Sequence, residues 1–245
     1  MKQQSFQRKK AKRGFRYLWL TVLFMCGAIA FSVQKNLEQE PFRVSSIENT
    51  RYTIVLDAGH GGEDGGATTT TGVLEKDINL AITLKLRSLL EASGIQVVMT
   101  RDTDTDLSDS SLDTVRERKV SDLHNRLKLA EEVKNGILVS IHQNHFSESQ
   151  YYGTQIFYSP NTPESQNLAE YLRSPVVEML QPENNRECKP ASSSIYILWN
   201  ATHPSVIVEC GFLSNPSESQ KLQNEAYQYQ MAFAIWSGIM DFLDA

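Results

Sequence analysis

Residues 52–100 hold the feature that most narrows the fold. Tyr52 to Asp57 (YTIVLD) is a short apolar run that ends in Ala-Gly-His-Gly-Gly. A run of this kind, bounded by glycines, reads as a buried strand leading into a loop. From Glu75 to Glu91 the spacing becomes helical, with Ile78, Ile82, Leu86, Leu89 and Leu90 on one face. Gly94 stands where a helix C-terminus favours a left-handed residue. Ile95 to Thr100 (IQVVMT) reads as a second strand. Strand, helix, strand demands a crossover, and a crossover of this kind joins parallel strands.

The alternation continues. Residues 102–121 are polar and acidic and read as a long surface loop. Asp122 to Lys134 reads as a helix with Leu123, Leu127, Ala130 and Val133 inward. Gly136 to Ile141 and Thr154 to Tyr158 read as a third and a fourth strand. Pro163 to Leu180 holds a helix that Pro175 is expected to kink or break. Ile195 to Leu198 and Val206 to Glu209 read as two more short strands, and Ser217 to Phe242 as one long amphipathic helix. The expectation is an α/β domain of three layers, with a central mixed, mostly parallel sheet flanked by helices.

Charge is unevenly placed. Residues 1–33 carry seven basic residues and no acidic one, which leaves 17 basic against 29 acidic residues in the other 212. So acidic a body excludes a nucleic-acid partner, because phosphate binding needs a positive field. The uncharged run Tyr17 to Val33 is 17 residues long, the short end of what spans a bilayer. Residues 1–16 then form a basic cytoplasmic flank, which puts the body on the far side of the membrane. Two readings of 17–33 remain open. One is an uncleaved transmembrane anchor, and the other is a signal peptide cut near Ala28-Ile29-Ala30. Residues 34–50, with Pro41 and a Ser pair, read as a linker. The folded domain is expected over 51–245. Three Cys cannot build a disulfide framework. Cys188 and Cys210 are expected as free buried thiols rather than a bridge.

The chemistry-bearing residues lie where strands end. His60 follows the first strand, His142 ends the third and Glu209 ends the last, while Glu75 begins the first helix. In open α/β sheets ligands bind outside the carboxyl ends of the strands. Two His and one Glu from separate elements suit a three-ligand zinc site with an open position for water. The glycines Gly59, Gly61 and Gly62 are not a nucleotide loop, since no Lys-Ser/Thr follows them. Asp57 is a candidate to orient His60 or to cap the loop, and Asp64 to shape it. Asn144 is a candidate hydrogen-bond partner behind the ligands. Arg101 is a candidate either for an acidic substrate group or for a structural ion pair. His124 and His203 read as surface residues, and His145 as a pocket-rim or surface residue rather than a rival ligand.

Five segments then occur in order: Ile54-Val-Leu-Asp-Ala-Gly-His-Gly-Gly62, Leu74-Glu-Lys-Asp-Ile-Asn-Leu80, Thr100-Arg-Asp102, Val139-Ser-Ile-His-Gln-Asn144 and Val208-Glu-Cys-Gly-Phe-Leu-Ser-Asn215. Together they resemble the zinc-dependent N-acetylmuramoyl-L-alanine amidases. The tract Arg186-Glu-Cys-Lys-Pro190 with Ser194-Ile-Tyr-Ile-Leu198 is further similar to the germination-specific, spore-cortex branch. The resemblance implies His60, Glu75 and His142 as ligands of a Zn2+ ion and Glu209 as the catalytic carboxylate. It also implies hydrolysis of the amide between N-acetylmuramic acid and L-alanine in peptidoglycan, with a step toward muramic lactam in the cortex. His145 departs from the family pattern, which has a small residue there. Two alternatives stand beside this reading: a zinc peptidase or deacetylase acting on another cell-wall bond, and a non-catalytic cell-wall scaffold. The expected partners are peptidoglycan, a membrane through the N-terminal segment, and an activating protein whose identity the sequence leaves open. The expected location is the outer face of the cytoplasmic membrane, or beyond it in the wall or cortex space.

Overall fold

The computed structural model describes residues 52–69 and 71–245. The expected anchor or signal segment at 17–33, its basic flank and the 34–50 linker lie outside the described residues. Among the described residues no helix is long and apolar enough to cross a membrane.

Six strands form one sheet: β1 (Thr53–Ala58), β2 (Gln96–Met99), β3 (Gly136–Asn144), β4 (Gln155–Tyr158), β5 (Lys189–Pro190) and β6 (Ser205–Phe212), in the order β2-β1-β3-β6-β4-β5. The pairs β1–β2, β1–β3 and β3–β6 are parallel. β4 runs antiparallel to β6, and β5 follows β4 in parallel. The sheet is therefore mixed and mostly parallel. The central strands are apolar on both faces because both faces are covered.

The helices are α1 (Glu75–Ala92), α2 (Val115–Glu132), α3 (Pro163–Leu180), α4 (Tyr196–Asn200), α5 (Pro216–Leu222) and α6 (Glu225–Asp244). On one face Ile54, Leu56, Val139, Ile141, Val206 and Val208 meet buried residues of α1, α3 and α6. On the other, Val55 and Leu138 meet Leu127 and Ala130 of α2 and Ile197 of α4. Alternate residues of one strand feed opposite cores, as the two-residue period of a strand requires. Gly94, with φ +80°, ends the α1 segment as expected.

Four sequence expectations are corrected. The loop at 102–121 ends early, because α2 starts at Val115, seven residues before the expected start at Asp122. Thr114 and Glu117 form a reciprocal capping box there, and the first turns are mostly exposed, so no apolar periodicity marks them. Ile195 to Leu198 is the start of the short helix α4 rather than a strand. A four-residue apolar run does not distinguish the two. The expected single helix 217–242 is two helices, because Asn224 caps a new one by accepting from Tyr227 N–H. Pro175 does not break α3, which runs through it from Pro163 to Leu180. A proline leaves the carbonyl four residues earlier without its helical donor. Here that carbonyl is Tyr171 O, against which the backbone of Gly238 packs so closely that a Cβ there would lie 2.4 Å away.

Candidate metal centre

The site forms at the carboxyl ends of β1, β3 and β6. β1 delivers the chain into a tight loop in which Gly61 and Asp64 exchange backbone hydrogen bonds of 2.9 and 3.0 Å. His60 itself has φ +62°, a left-handed conformation that costs a residue with a Cβ and persists only where the surroundings impose it. Two buried arginines impose it. Arg126 donates to His60 O at 2.7 Å and to Ala58 O at 2.8 Å. Arg101 donates to Ala58 O, Gly59 O, Lys76 O and Thr103 O at 2.8–3.1 Å. Arg101 thus binds four carbonyls of its own chain; the expected substrate pairing and the expected ion pair both give way to this. Gly59 is required for a steric reason, since a Cβ there would fall 2.2 Å from the His142 ring.

Glu75 is the first residue of α1, where a carboxylate meets the positive end of the helix. Its Oε1 lies 3.2 Å from His60 Nε2 and 3.1 Å from His142 Nδ1. The same oxygen accepts from Gln143 N–H at 3.1 Å and from the Asn79 amide at 3.3 Å, while Oε2 accepts from Ala67 N–H at 2.9 Å. One donor atom each from His60, Glu75 and His142 falls within 4.8 Å of the others, so the three could hold a metal ion. Burial opposes the charge on Glu75, but the hydrogen bonds and charges of His142 and His60 hold its pKa far below the usual carboxylate range.

Asp64, not Asp57, orients His60. His60 Nδ1 lies 2.8 Å from Asp64 Oδ2, which turns Nε2 toward Glu75. Lys119 also pairs with Asp64, at 3.0 Å. Burial pulls the His60 pKa down, yet Asp64 and Glu75 outweigh it and raise the value to about 9. Asp57 is engaged by neighbouring elements instead. It accepts from Thr100 Oγ1 at 2.7 Å, from Arg126 at 2.6 Å and from Ser140 Oγ.

Glu209 is the direct cross-strand partner of His142 in the parallel β3–β6 pair, and partners in register face the same side. Its Oε2 is buried and, among the described residues, has no hydrogen-bond partner. Burial lifts its pKa to about 7; the charge of Glu75 adds to this, and His142 and His60 offset part of it. An unpaired carboxyl oxygen in such a place is costly unless it has work to do. The donor set fits a zinc-like cation. Two imidazoles and a carboxylate converge, one imidazole is oriented from behind by a carboxylate, and a free carboxyl oxygen lies alongside.

The remaining candidates fall outside the cluster. His145 is exposed, and His124 is exposed and stacks on Tyr196 at 4.7 Å. His203 is half-buried, 3.2 Å from Glu131, so it is not a free surface residue. Asn144 contributes its backbone carbonyl to Leu213 N–H; the partner behind Glu75 is Asn79, which sequence reasoning missed. Arg126 was missed as well. Its signal was a charged residue in phase with Leu123, Leu127 and Ala130 on the inward face of a helix. Cys188 and Cys210 are unbridged.

A family model described as N-acetylmuramoyl-L-alanine amidase matches residues 54–241. The germination-specific N-acetylmuramoyl-L-alanine amidase of Bacillus subtilis is 34% identical over 96% of this chain and 96% of its own length. The CwlD amidase of Clostridioides difficile, solved in complex with the GerS lipoprotein, superposes with a TM-score of 0.75 at 43% identity, over 78% of this chain and 98% of that one. The amidase AmiC2 of Nostoc punctiforme gives a TM-score of 0.67 at 31% identity, over 80% and 99%.

Proposed function

The chain belongs to the N-acetylmuramoyl-L-alanine amidase family, and from that premise we propose that His60, Glu75 and His142 hold a zinc ion beside Glu209, where the amide joining the muramic lactyl group to L-alanine is hydrolysed. It is a peptidoglycan amidase, and the arrangement of its side chains suits that reaction. The observation that carries the proposal is the sharing of Glu75 Oε1 between two imidazoles, 3.1 and 3.2 Å away, with Glu209 in register with one of them.

When bound, zinc supplies a Lewis acid for the scissile carbonyl and brings the pKa of water down to about 7. The protein's own groups do the rest. Asp64 keeps the proton of His60 on Nδ1, so Nε2 is available as a ligand. Glu209 takes the proton that the attacking water loses as the new C–O bond forms. It then delivers that proton to the nitrogen as the C–N bond breaks, because an amide leaves poorly as an anion. A carboxyl with a pKa near 7 is suited to both transfers at neutral pH.

The finer assignments belong to the same proposal. Residues 51–245 are the catalytic domain, and 17–33 exports the protein and, if uncleaved, tethers it to the outer face of the cytoplasmic membrane. The basic flank at 1–16 supports that orientation. The similarity to a germination-specific amidase supports a role in cortex peptidoglycan, where removal of the stem peptide precedes muramic-lactam formation. The lipoprotein in complex with the C. difficile amidase supports a protein partner here also.

The test is digestion of purified wall by the full chain, with and without a chelator, followed by product masses. The expected products are glycan with free lactyl carboxyls and peptide with an N-terminal L-alanine, and the chelator abolishes both. Cleavage within the peptide, or loss of acetyl groups alone, would overturn the assignment in favour of a peptidase or a deacetylase. Absence of any metal-dependent product would favour a scaffold.

A further inference from the structure

Beyond the metal cluster, at the same end of the sheet, lies a group of aromatic side chains around one arginine. Phe146 follows β3 by two residues and Phe212 ends β6. β4 runs antiparallel to β6, so the loop 145–153 that leads into it stays at this end. β5 runs with β4, so the segment just before it, which carries Arg186, arrives here too. Gln155 of β4 fixes that arrival by donating to Glu187 O at 2.6 Å.

The rings touch in sequence. Phe146 and Tyr151 meet edge-to-face with centroids 5.1 Å apart, and Tyr151 lies 6.2 Å from Phe212. The Arg186 guanidinium carbon sits 4.7 Å from the centre of Phe212 and 5.9 Å from that of Tyr151. The group is anchored to the catalytic strands. Ser214 accepts from Phe146 N–H at 3.1 Å, and Asn215 donates to Tyr151 O at 3.2 Å. Yet Phe146 and Tyr151 remain 50% and 39% exposed. Arg186 commits Nε to Tyr152 O at 2.7 Å; among the described residues its Nη groups have no hydrogen-bond partner. The nearby Glu218 accepts from the N–H groups of Gly153 and Phe212 and feels the charge of Arg186, without a hydrogen bond to its Nη groups among the described residues.

We propose that Phe146, Tyr151, Phe212 and Arg186 form a subsite for the stem peptide on the L-alanine side of the scissile amide, with Arg186 reading a peptide carboxylate. The inference rests on the amidase reading above. Its chemistry is that of a planar cation held against ring faces, with donors left open for a carboxylate, and of exposed rings that cover aliphatic peptide side chains. Its scale fits as well. Phe212 pairs with Asn144 as Glu209 pairs with His142, across a bulge, so it lies two β3 residues, roughly 7 Å, beyond Glu209. A carboxylate on the residue after L-alanine lies about 7 Å from the cut, and the arginine side chain spans the remainder.

The test compares two soluble muropeptides, one with the free α-carboxylate on the second stem residue and one with that group amidated. With the wild-type full chain, the amidated substrate should show a KM about tenfold higher, the scale of one charge-assisted hydrogen bond. Arg186→Gln should raise KM by about as much for the free-carboxylate substrate, change kcat by less than about twofold, and leave the amidated substrate unaffected. Phe146→Ala removes an exposed ring without disturbing the core and should raise KM severalfold for both. Equal KM values for the two substrates in the wild type, or equal effects of Arg186→Gln on both, would overturn the subsite. A KM that responds to glycan length and not to the carboxylate would overturn it in favour of a glycan groove. Calorimetric binding of the free stem peptide provides a readout without catalysis. Tight binding to the wild type that Arg186→Gln weakens supports the subsite even if neither muropeptide is cut, an outcome that would sink only the amidase reading.

Discussion

Asp64 and Glu209 are both carboxylates beside the imidazole cluster, and their surroundings drive them apart. Asp64 has a histidine and a lysine as partners and is held ionised far below its ordinary pKa despite its burial. Glu209 is buried, its Oε2 has no hydrogen-bond partner among the described residues, and burial pushes its pKa up to about 7. Environments that separate two acids in this way assign them different tasks. Glu209→Gln is therefore expected to keep metal binding and to lose turnover by about 10²–10⁴-fold; metal content and peptide release, measured on one preparation, check it. Asp64→Asn leaves the ligands in place but loosens His60, and metal affinity should fall by about 10–100-fold, as read by competition with a chromogenic chelator. The raised pKa of His60 gives a third expectation. In the metal-free protein His60 carries its proton below about pH 9, and a ligand imidazole must shed it. Metal binding at pH 7 should release protons, and affinity should weaken as pH falls; titration calorimetry in buffers of different ionisation enthalpy reads this directly, and zero release would refute it. The positions of His60, His142 and Glu209 were legible because they stand at or just after strand ends, and that of Glu75 because it opens the first helix. The roles of Asp57 and Asp64 were not, since nothing in the spacing tells which of two nearby acids turns toward a histidine.

At the scale of elements, the sequence is clearest where burial is one-sided or complete. β1, α1, β2 and β6 follow from their apolar patterns because most of the positions they turn to the core are apolar. The first turns of α2 escaped notice because they bury almost nothing, and their stability comes from the Thr114–Glu117 capping box. α4 was misread because four apolar residues satisfy either period. Contact between α3 and α6 turns on a backbone detail. Gly238 abuts Tyr171 O, the carbonyl that Pro175 leaves without a helical donor. Gly238→Ala should cost about 1–3 kcal/mol through overpacking, although alanine is the better helix former. Urea unfolding measures the cost, and a neutral or stabilising outcome would refute the close contact.

At the scale of the molecule, the catalytic end is tied to the sheet through charge. Asp57 of β1 and Arg126 of α2 are fully buried partners, and Arg126 also grips Asp122 at 2.8 Å. Burial works against the Asp57 charge, but Arg126, Ser140 and Thr100 bring its pKa down to about 2. A folded pKa below the unfolded one contributes stability that is present above about pH 4 and lost as pH falls toward 2. Asp57→Asn should therefore unfold more easily than the wild type at pH 7, and the gap should narrow by on the order of 2 kcal/mol on acidification to pH 2 or below. Denaturant titrations at the two pH values measure it, and a constant gap would show that the pair is not the linked group.

The sequence by itself determined the alternation of buried strands with amphipathic helices, and so a mostly parallel sheet whose strand ends carry His60, His142 and Glu209 with Glu75 nearby. Those outcomes depend on local periodicity, which a short window displays wherever one face of an element is buried. Only the tertiary structure decided which acid orients His60, that Arg101 and Arg126 hold the loop carbonyls, and that Arg186 comes to rest among the rings of Phe212 and Tyr151. A side chain's charge state and role depend on what is packed against it. In each of these cases but that of Asp64, the packing partners come from stretches of chain tens of residues away.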